Sequence, residues 1–132
     1  MALTLSTTIR NSRMNAIRDA LDAGSAAGKL LIYDGTRPAT GGTATTLLAT
    51  FTLSDPSAPN AVDGVLTFSA IATVAASATG TASWARMVDS DDKFVCDMDA
   101  GTEGADLVLT NDNLVSGSDV DVTSAEITDN NG

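Results

Sequence analysis

Apolar residues change their period once along this chain, near residue 24, dividing it into a helical opening and a β body. Before that point Met14, Ile17 and Leu21 recur at spacings of three and four, and Ala16, Ala20 and Ala23 widen the stripe. Ser6, Thr7 and Thr8 place capping hydroxyls ahead of it. Gly24 supplies a stop, followed by the small-residue link Ser25-Ala26-Ala27-Gly28. The pattern predicts a helix over residues 8–23.

Past the link, short apolar runs are punctuated by turn residues. The first expected strand is Lys29–Asp34, closed by Asp34-Gly35, and residues 36–46 read as a loop with Pro38, Gly41 and Gly42. Leu47, Ala49, Phe51 and Leu53 alternate with Leu48, Thr50 and Thr52, as in a half-buried strand. After the Pro- and Gly-bearing connection 54–64, further strands are expected at 65–68, 71–75, 81–88, 94–98, 105–109 and 120–128. Turn clusters at 76–80, 89–92, 99–104 and 111–118 separate them. Seven or eight strands at this spacing predict a mainly β chain: an antiparallel β-sandwich or jelly-roll-like body over residues 29–128 with one N-terminal α-helix. In the final strand Ile127 falls on the opposite face from Val120, which a bulge or an edge position would reconcile. Residues 129–132 are polar and read as a frayed tail.

Length and composition refine this picture. The 132 residues fit a single domain spanning 1–132. The apolar fraction is 43%, but Ala and Val dominate it and there are only five aromatics, so the core must bring backbones close together. Contacts in a homo-oligomer would add to the buried area. The single cysteine, Cys96, rules out a disulfide within the chain and reads as a small buried hydrophobe. The opening residues lack the apolar stretch of a secretory signal, and no run approaches the ~20 apolar residues of a membrane span. The expectation is a soluble protein made in a cytoplasm, with no membrane partner.

Charge is divided unevenly. Residues 1–37 hold five of the seven basic side chains against three acids, leaving this part at +2, while two bases against fourteen acids leave residues 38–132 at −12. That balance argues against nucleic acid, whose phosphates demand clustered Lys and Arg. The helix itself is charged against its macrodipole, with Arg10 and Arg13 in its first half and Asp19 and Asp22 at its end. An acidic partner near its start would offset this cost. Arg10, Arg13, Arg18 and Arg37 are therefore the candidate partner-binding residues; the alternative is that they are merely solvated.

Candidate chemistry is sparse. Histidine is absent, which removes Ser-His-Asp and Cys-His arrangements and the commonest metal ligand. Gly41-Gly42 leads to a strand rather than a helix, so it is no phosphate loop. The acidic stretch Asp89-Ser90-Asp91-Asp92 could offer oxygens to calcium, but the EF-hand spacing is not met, and a solvated hairpin tip is the simpler reading. No cofactor and no catalytic residue are expected. Trp84 and Arg86, two apart on one strand, share a face; Trp84 reads as a core anchor, with a stacked guanidinium as the alternative.

Taken in order, these pieces resemble a known group. They are the Ser/Thr-capped helix, Leu-Leu-Ile-Tyr-Asp-Gly-Thr-Arg-Pro-Ala-Thr (residues 30–40), Leu-Leu-Ala-Thr-Phe-Thr-Leu (47–53) and Gly-Val-Leu-Thr-Phe (64–68). Thr-Gly-Thr-Ala-Ser-Trp-Ala-Arg (79–86), Gly-Ala-Asp-Leu (104–107) and a Val-Asp-Val-Thr-Ser ending follow. From Leu5 to Thr128 the chain resembles small proteins encoded among the virion structural genes of tailed bacteriophages. The resemblance implies a non-enzymatic virion component: a head decoration (cement) protein on the major capsid protein, or else a neck, collar or tail component. A surface glycan-binding or adhesive module, with Trp84 and Tyr33 lining its site, is the rival from another class.

Overall fold

The computed structural model describes residues 3–129. Within them the helix α1 (Thr7–Leu21) precedes eleven strands. These are β1 (Lys29–Tyr33), β2 (Leu47–Thr52), β3 (Val65–Thr67), β4 (Val74–Ala75), β5 (Gly80–Thr81), β6 (Trp84–Val88), β7 (Phe94–Gly101), β8 (Leu107–Leu109), β9 (Asn113–Leu114), β10 (Asp119–Val120) and β11 (Val122–Thr128). Seven strands form one sheet in the order β2-β1-β6-β7-β8-β11-β3, and β10-β4 and β5-β9 form two short ribbons. The chain is mainly β with one N-terminal helix, as its pattern predicts. Several details differ from the expected antiparallel body, among them β7, which runs on from the expected strand 94–98 through Gly101, into the stretch 99–104 read as a turn. β7 and β8 run parallel, over the pairs Ala100–Leu107 and Gly101–Val108. The stretches 76–80 and 111–118, read as turns, take in the first residue of β5 and all of β9, which are too short to show any alternation.

The sheet's inner face follows the two-residue period. Leu30 lies between Phe51 and Met87, and Ile32 between Ala49 and Ala85. All six side chains are fully buried. The ribbons form a second, smaller layer: Ala76 N–H donates to Ser118 O and Ala82 N–H to Asp112 O. Ala76, Ala82, Leu114 and Val120 thereby enter the same core. In β11 the pairing with β8 shifts between Val122 and Ser124. This irregularity reconciles the broken alternation, and β11 is an interior strand between β8 and β3.

Met14 and Leu21 of the helix are buried in that core, with Ile17 packed against it. Ser6 is the cap, its Oγ accepting from Ile9 N–H at 3.2 Å. The helix stops at Leu21, two residues before the expected end. Gly24 serves close approach rather than a left-handed turn, since a Cβ there would stand 1.9 Å from Ser90 Oγ.

A second stripe fixes the helix in register. Asn11 Oδ1 accepts from Gly64 N–H at 2.7 Å, and Asn15 Oδ1 accepts from Ala61 N–H at 2.7 Å. Arg18 donates to Asn60 Oδ1 at 2.6 Å, and the Asp22 carboxylate accepts from Ser57 N–H at 3.1 Å. Helix positions spaced by four, three and four thus read the connection 57–64 in the reverse direction, satisfying backbone groups that form no ladder. Asp129, read from the sequence as the start of a frayed tail, is instead buried, and its N–H donates to Gly64 O at 2.8 Å. The remaining tail positions, 130–132, lie outside the described residues.

Replacing Asn15 by Ala leaves the half-buried Ala61 N–H without its acceptor and is expected to lower stability by about 1–3 kcal/mol. Urea unfolding of the two proteins measures it; a difference below about 0.5 kcal/mol would mean the stripe holds no register.

Candidate functional site

The four candidate arginines sit in two places, and all four meet groups of their own chain. Arg10 donates from Nε and Nη2 to Asp129 O at 3.2 and 2.9 Å, and from Nη2 to Asp63 O at 3.3 Å. Arg13 Nε lies 3.1 Å from Asp129 Oδ2; the Arg13 side chain is 53% exposed and that of Asp129 only 3%. Arg18 joins Asn60 and Asp19, and its side chain is mostly covered. Arg37, far along the chain, lies 3.3 Å from Asp99. The acidic partner that the helix needs near its start is therefore Asp129 of the same chain. Arg13 and Arg37 keep substantial exposure; Arg10 and Arg18 are largely spent on internal hydrogen bonds.

The outer face of the sheet carries a separate cluster. Tyr33 and Trp84 are cross-strand neighbours, and their rings stack at 4.5 Å with an interplanar angle of 17°. Arg86 follows on the same face, its Cζ 5.2 Å from the Trp84 ring and 5.2 Å from the Phe94 ring. The guanidinium forks onto Asp97, with Nε–Oδ1 at 2.7 Å and Nη2–Oδ2 at 3.1 Å. That carboxylate holds the Arg86 proton even more firmly than usual. Trp84 is fully buried, as an anchor should be, but it packs in this outer cluster and not in the main core, and the stacked guanidinium is present as well.

What buries the cluster is the loop 35–46, folded over the sheet as a flap. Trp84 Nε1 donates to Asp34 O at 2.9 Å and Thr45 Oγ1 at 3.0 Å, and Thr45 Oγ1 donates to Asp34 O. Arg86 Nη2 donates to Gly42 O at 2.8 Å. Gly41 adopts φ +69°, a left-handed conformation that suits glycine, and a Cβ there would meet the Phe94 ring at 3.6 Å. Between flap residues 37–40 and strand residues 94–97 lies an open pocket of about 440 Å3. Its chemistry is mixed: Pro38, Ala39 and Phe94 are apolar, while Arg37 and Asp97 are charged and already paired. The sequence shows Trp84 and Arg86 sharing a face. It does not show the flap, because hydrogen bonds between residues 34–46 and 84–86 leave no periodic trace.

The acidic turn is organised by its own backbone. Asp89 Oδ1 accepts from the N–H groups of Asp91 and Lys93, both at 2.9 Å, and Asp92 Oδ1 meets Lys29 Nζ at 2.9 Å. Among the described residues no three His, Cys, Asp or Glu side chains gather as a metal site. Cys96 is half-buried against the core, and burial, assisted by the Asp97 and Asp106 charges, pushes its thiol up to about 12. Comparison with protein-family models, with characterised proteins and with solved structures finds no match to this chain.

Arg86→Ala would leave the Asp97 carboxylate buried and uncompensated, an expected loss of about 3–5 kcal/mol. Chemical denaturation measures it, and a red shift in the emission of Trp84, the single tryptophan, reports opening of the flap. With its thiol near 12, Cys96 holds a thiolate fraction at pH 8 about a thousandfold below that of a free thiol of pKa about 9. Iodoacetamide should therefore modify the folded protein slowly and the urea-unfolded protein rapidly; equal rates would mean that burial does not control the thiol.

Proposed function

We propose that the protein is a non-enzymatic structural component of a tailed-bacteriophage virion, a capsid decoration protein that attaches to the major capsid protein and bridges neighbouring subunits. The resemblance from Leu5 to Thr128 supports the virion setting. The attachment mode is supported by one observation: three exposed large apolar side chains, including two of the most exposed among the described residues, lie near the helix start. Leu3 is 69% exposed three residues before the cap, Ile9 is 49% exposed in the first turn, and Val62 is 66% exposed. Val62 adjoins Asp63, whose carbonyl Arg10 holds against that same turn. Exposed apolar groups beside the half-free Arg13 make a surface that gains from being covered. The acidic body then faces solvent, and the attached copies add buried area across subunit seams against internal pressure.

The helix is part of the core, so deleting it would unfold the chain rather than test attachment. Ile9→Asp with Val62→Asp alters exposed positions only and should leave stability within about 0.5 kcal/mol. The same pair should lower the number of particle-bound copies about tenfold or more. A cryo-EM map of the intact particle decides the location. Density repeated over the icosahedral shell supports decoration, density at the portal vertex or tail reassigns the protein there, and absence from purified particles overturns the virion reading.

A further inference from the structure

Strand β7 is used unequally on its two sides. Toward β6, residues from Phe94 to Asp99 are paired. Toward β8, only Ala100 and Gly101 are paired, because the chain leaves the strand through loop 102–106 and returns beside its last two residues. Among the described residues, positions 94–98 have no strand partner on that side. The sheet's two outer strands are treated differently. Ser77 N–H donates to Leu48 O along β2, and the helix packs along β3 and also meets β7. A half-strand without a ladder partner on one side, free of proline and bulged only at its start, offers backbone groups to another chain.

Three further observations fall at the same place. The pocket of about 440 Å3 lies directly beside residues 94–97. Phe94, 41% exposed, lines it and rests against Gly41 and Arg86. At the other end of the half-strand, carboxylates outnumber their counterions. Arg37 is engaged by Asp99 and Arg86 by Asp97, which leaves Glu103 and Asp106 without a lysine or arginine at ion-pair distance among the described residues. Burial and the neighbouring Asp99 raise the Asp106 carboxyl above its ordinary value, with Arg37 opposing weakly, as expected of a carboxylate lacking a direct cation. Lys93 stands at the opposite end, just before Phe94.

We infer that the open half of β7 and its adjoining pocket form an interaction surface for an extended, basic segment of a partner protein. The segment adds as a strand along residues 94–98, places an apolar side chain in the pocket beside Phe94, and brings a lysine or arginine to Asp106 and Glu103. The two anchor points are about 17 Å apart, five residues of extended chain, so the motif that fits is an apolar residue and a cation separated by about that length. Backbone hydrogen bonds supply the attachment and the two anchors select the sequence. This surface uses none of the helix-start residues and does not depend on where the protein sits.

The test uses the full chain, 15N-labelled, titrated with a seven-residue peptide alternating lysine and valine and with its glutamate–valine counterpart. Saturable amide shifts centred on residues 94–98 are expected with the lysine peptide, at least about tenfold tighter than with the glutamate peptide. Phe94→Ser and Asp106→Asn should each weaken binding about fivefold or more, and both are checked for native amide dispersion first. Asp106→Asn carries the readout if the phenylalanine variant does not fold. Absence of saturable binding, shifts spread over the acidic surface, or unchanged affinity in a folded variant would overturn the surface. Concentration-dependent shifts at 94–98 without peptide would also overturn it, by assigning the edge to a second copy of the chain. None of these outcomes bears on whether the protein is found in particles.

Discussion

The reverse-running ladder between α1 and the connection 57–64 is the contact on which the rest of the molecule depends. A helix packed only by Met14, Ile17 and Leu21 could rotate or slide on a core of small side chains, because Ala-rich surfaces offer shallow ridges. Asn11, Asn15, Arg18 and Asp22 remove that freedom by meeting individual backbone and side-chain groups at 64, 61, 60 and 57. The connection gains as much, since without these acceptors a long proline-bearing segment would hold half-buried N–H groups with no partner. Once helix and connection are fixed together, Ala58 and Ala61 close the core, and β3 is placed at the sheet's edge against the helix.

The sheet manages its two faces by different means. Its inner face is covered by the helix and the two ribbons, and uses Leu, Ile, Met and Ala with Phe51 and Phe68. Its outer face is covered by a flap, and takes the other three aromatics, Tyr33, Trp84 and Phe94, interleaved with one arginine. A flap lacks the apolar area of a second sheet. Its attachment is therefore polar and specific: indole to carbonyl, guanidinium to Gly42, Arg37 to Asp99. The fork of Arg86 on Asp97 makes this possible, because it lets a charged side chain fill the space between two rings with its donors satisfied.

The helix, the strands with clear alternation and the fold class were legible because burial imposes a period on them. Leu30 and Ile32 against Phe51 and Met87 are a plain instance, and so is the irregularity near Val122 that the misplaced Ile127 betrays. The parallel step from β7 to β8 was not legible, since two residue pairs carry no pattern of their own. The internal partner of Arg10 and Arg13 was half visible: helix charges predict an acid near the helix start, but nothing in a sequence says that it is residue 129. Asn11, Asn15, Arg18 and Asp22 do carry a signal, a polar stripe at helical spacing beside the apolar one. Such a stripe looks the same whether solvent or a backbone faces it.

The tie between Arg10 and Asp129 joins groups 119 residues apart. On a ribosome the helix emerges well before residue 129, with two arginines set against its own dipole and their acidic partner not yet made. At roughly 5–20 residues per second that wait lasts on the order of ten seconds. The helix is thus secured long after it is synthesised, and the nascent chain carries it loosely held and cationic until the strand leading to Asp129 has left the exit tunnel.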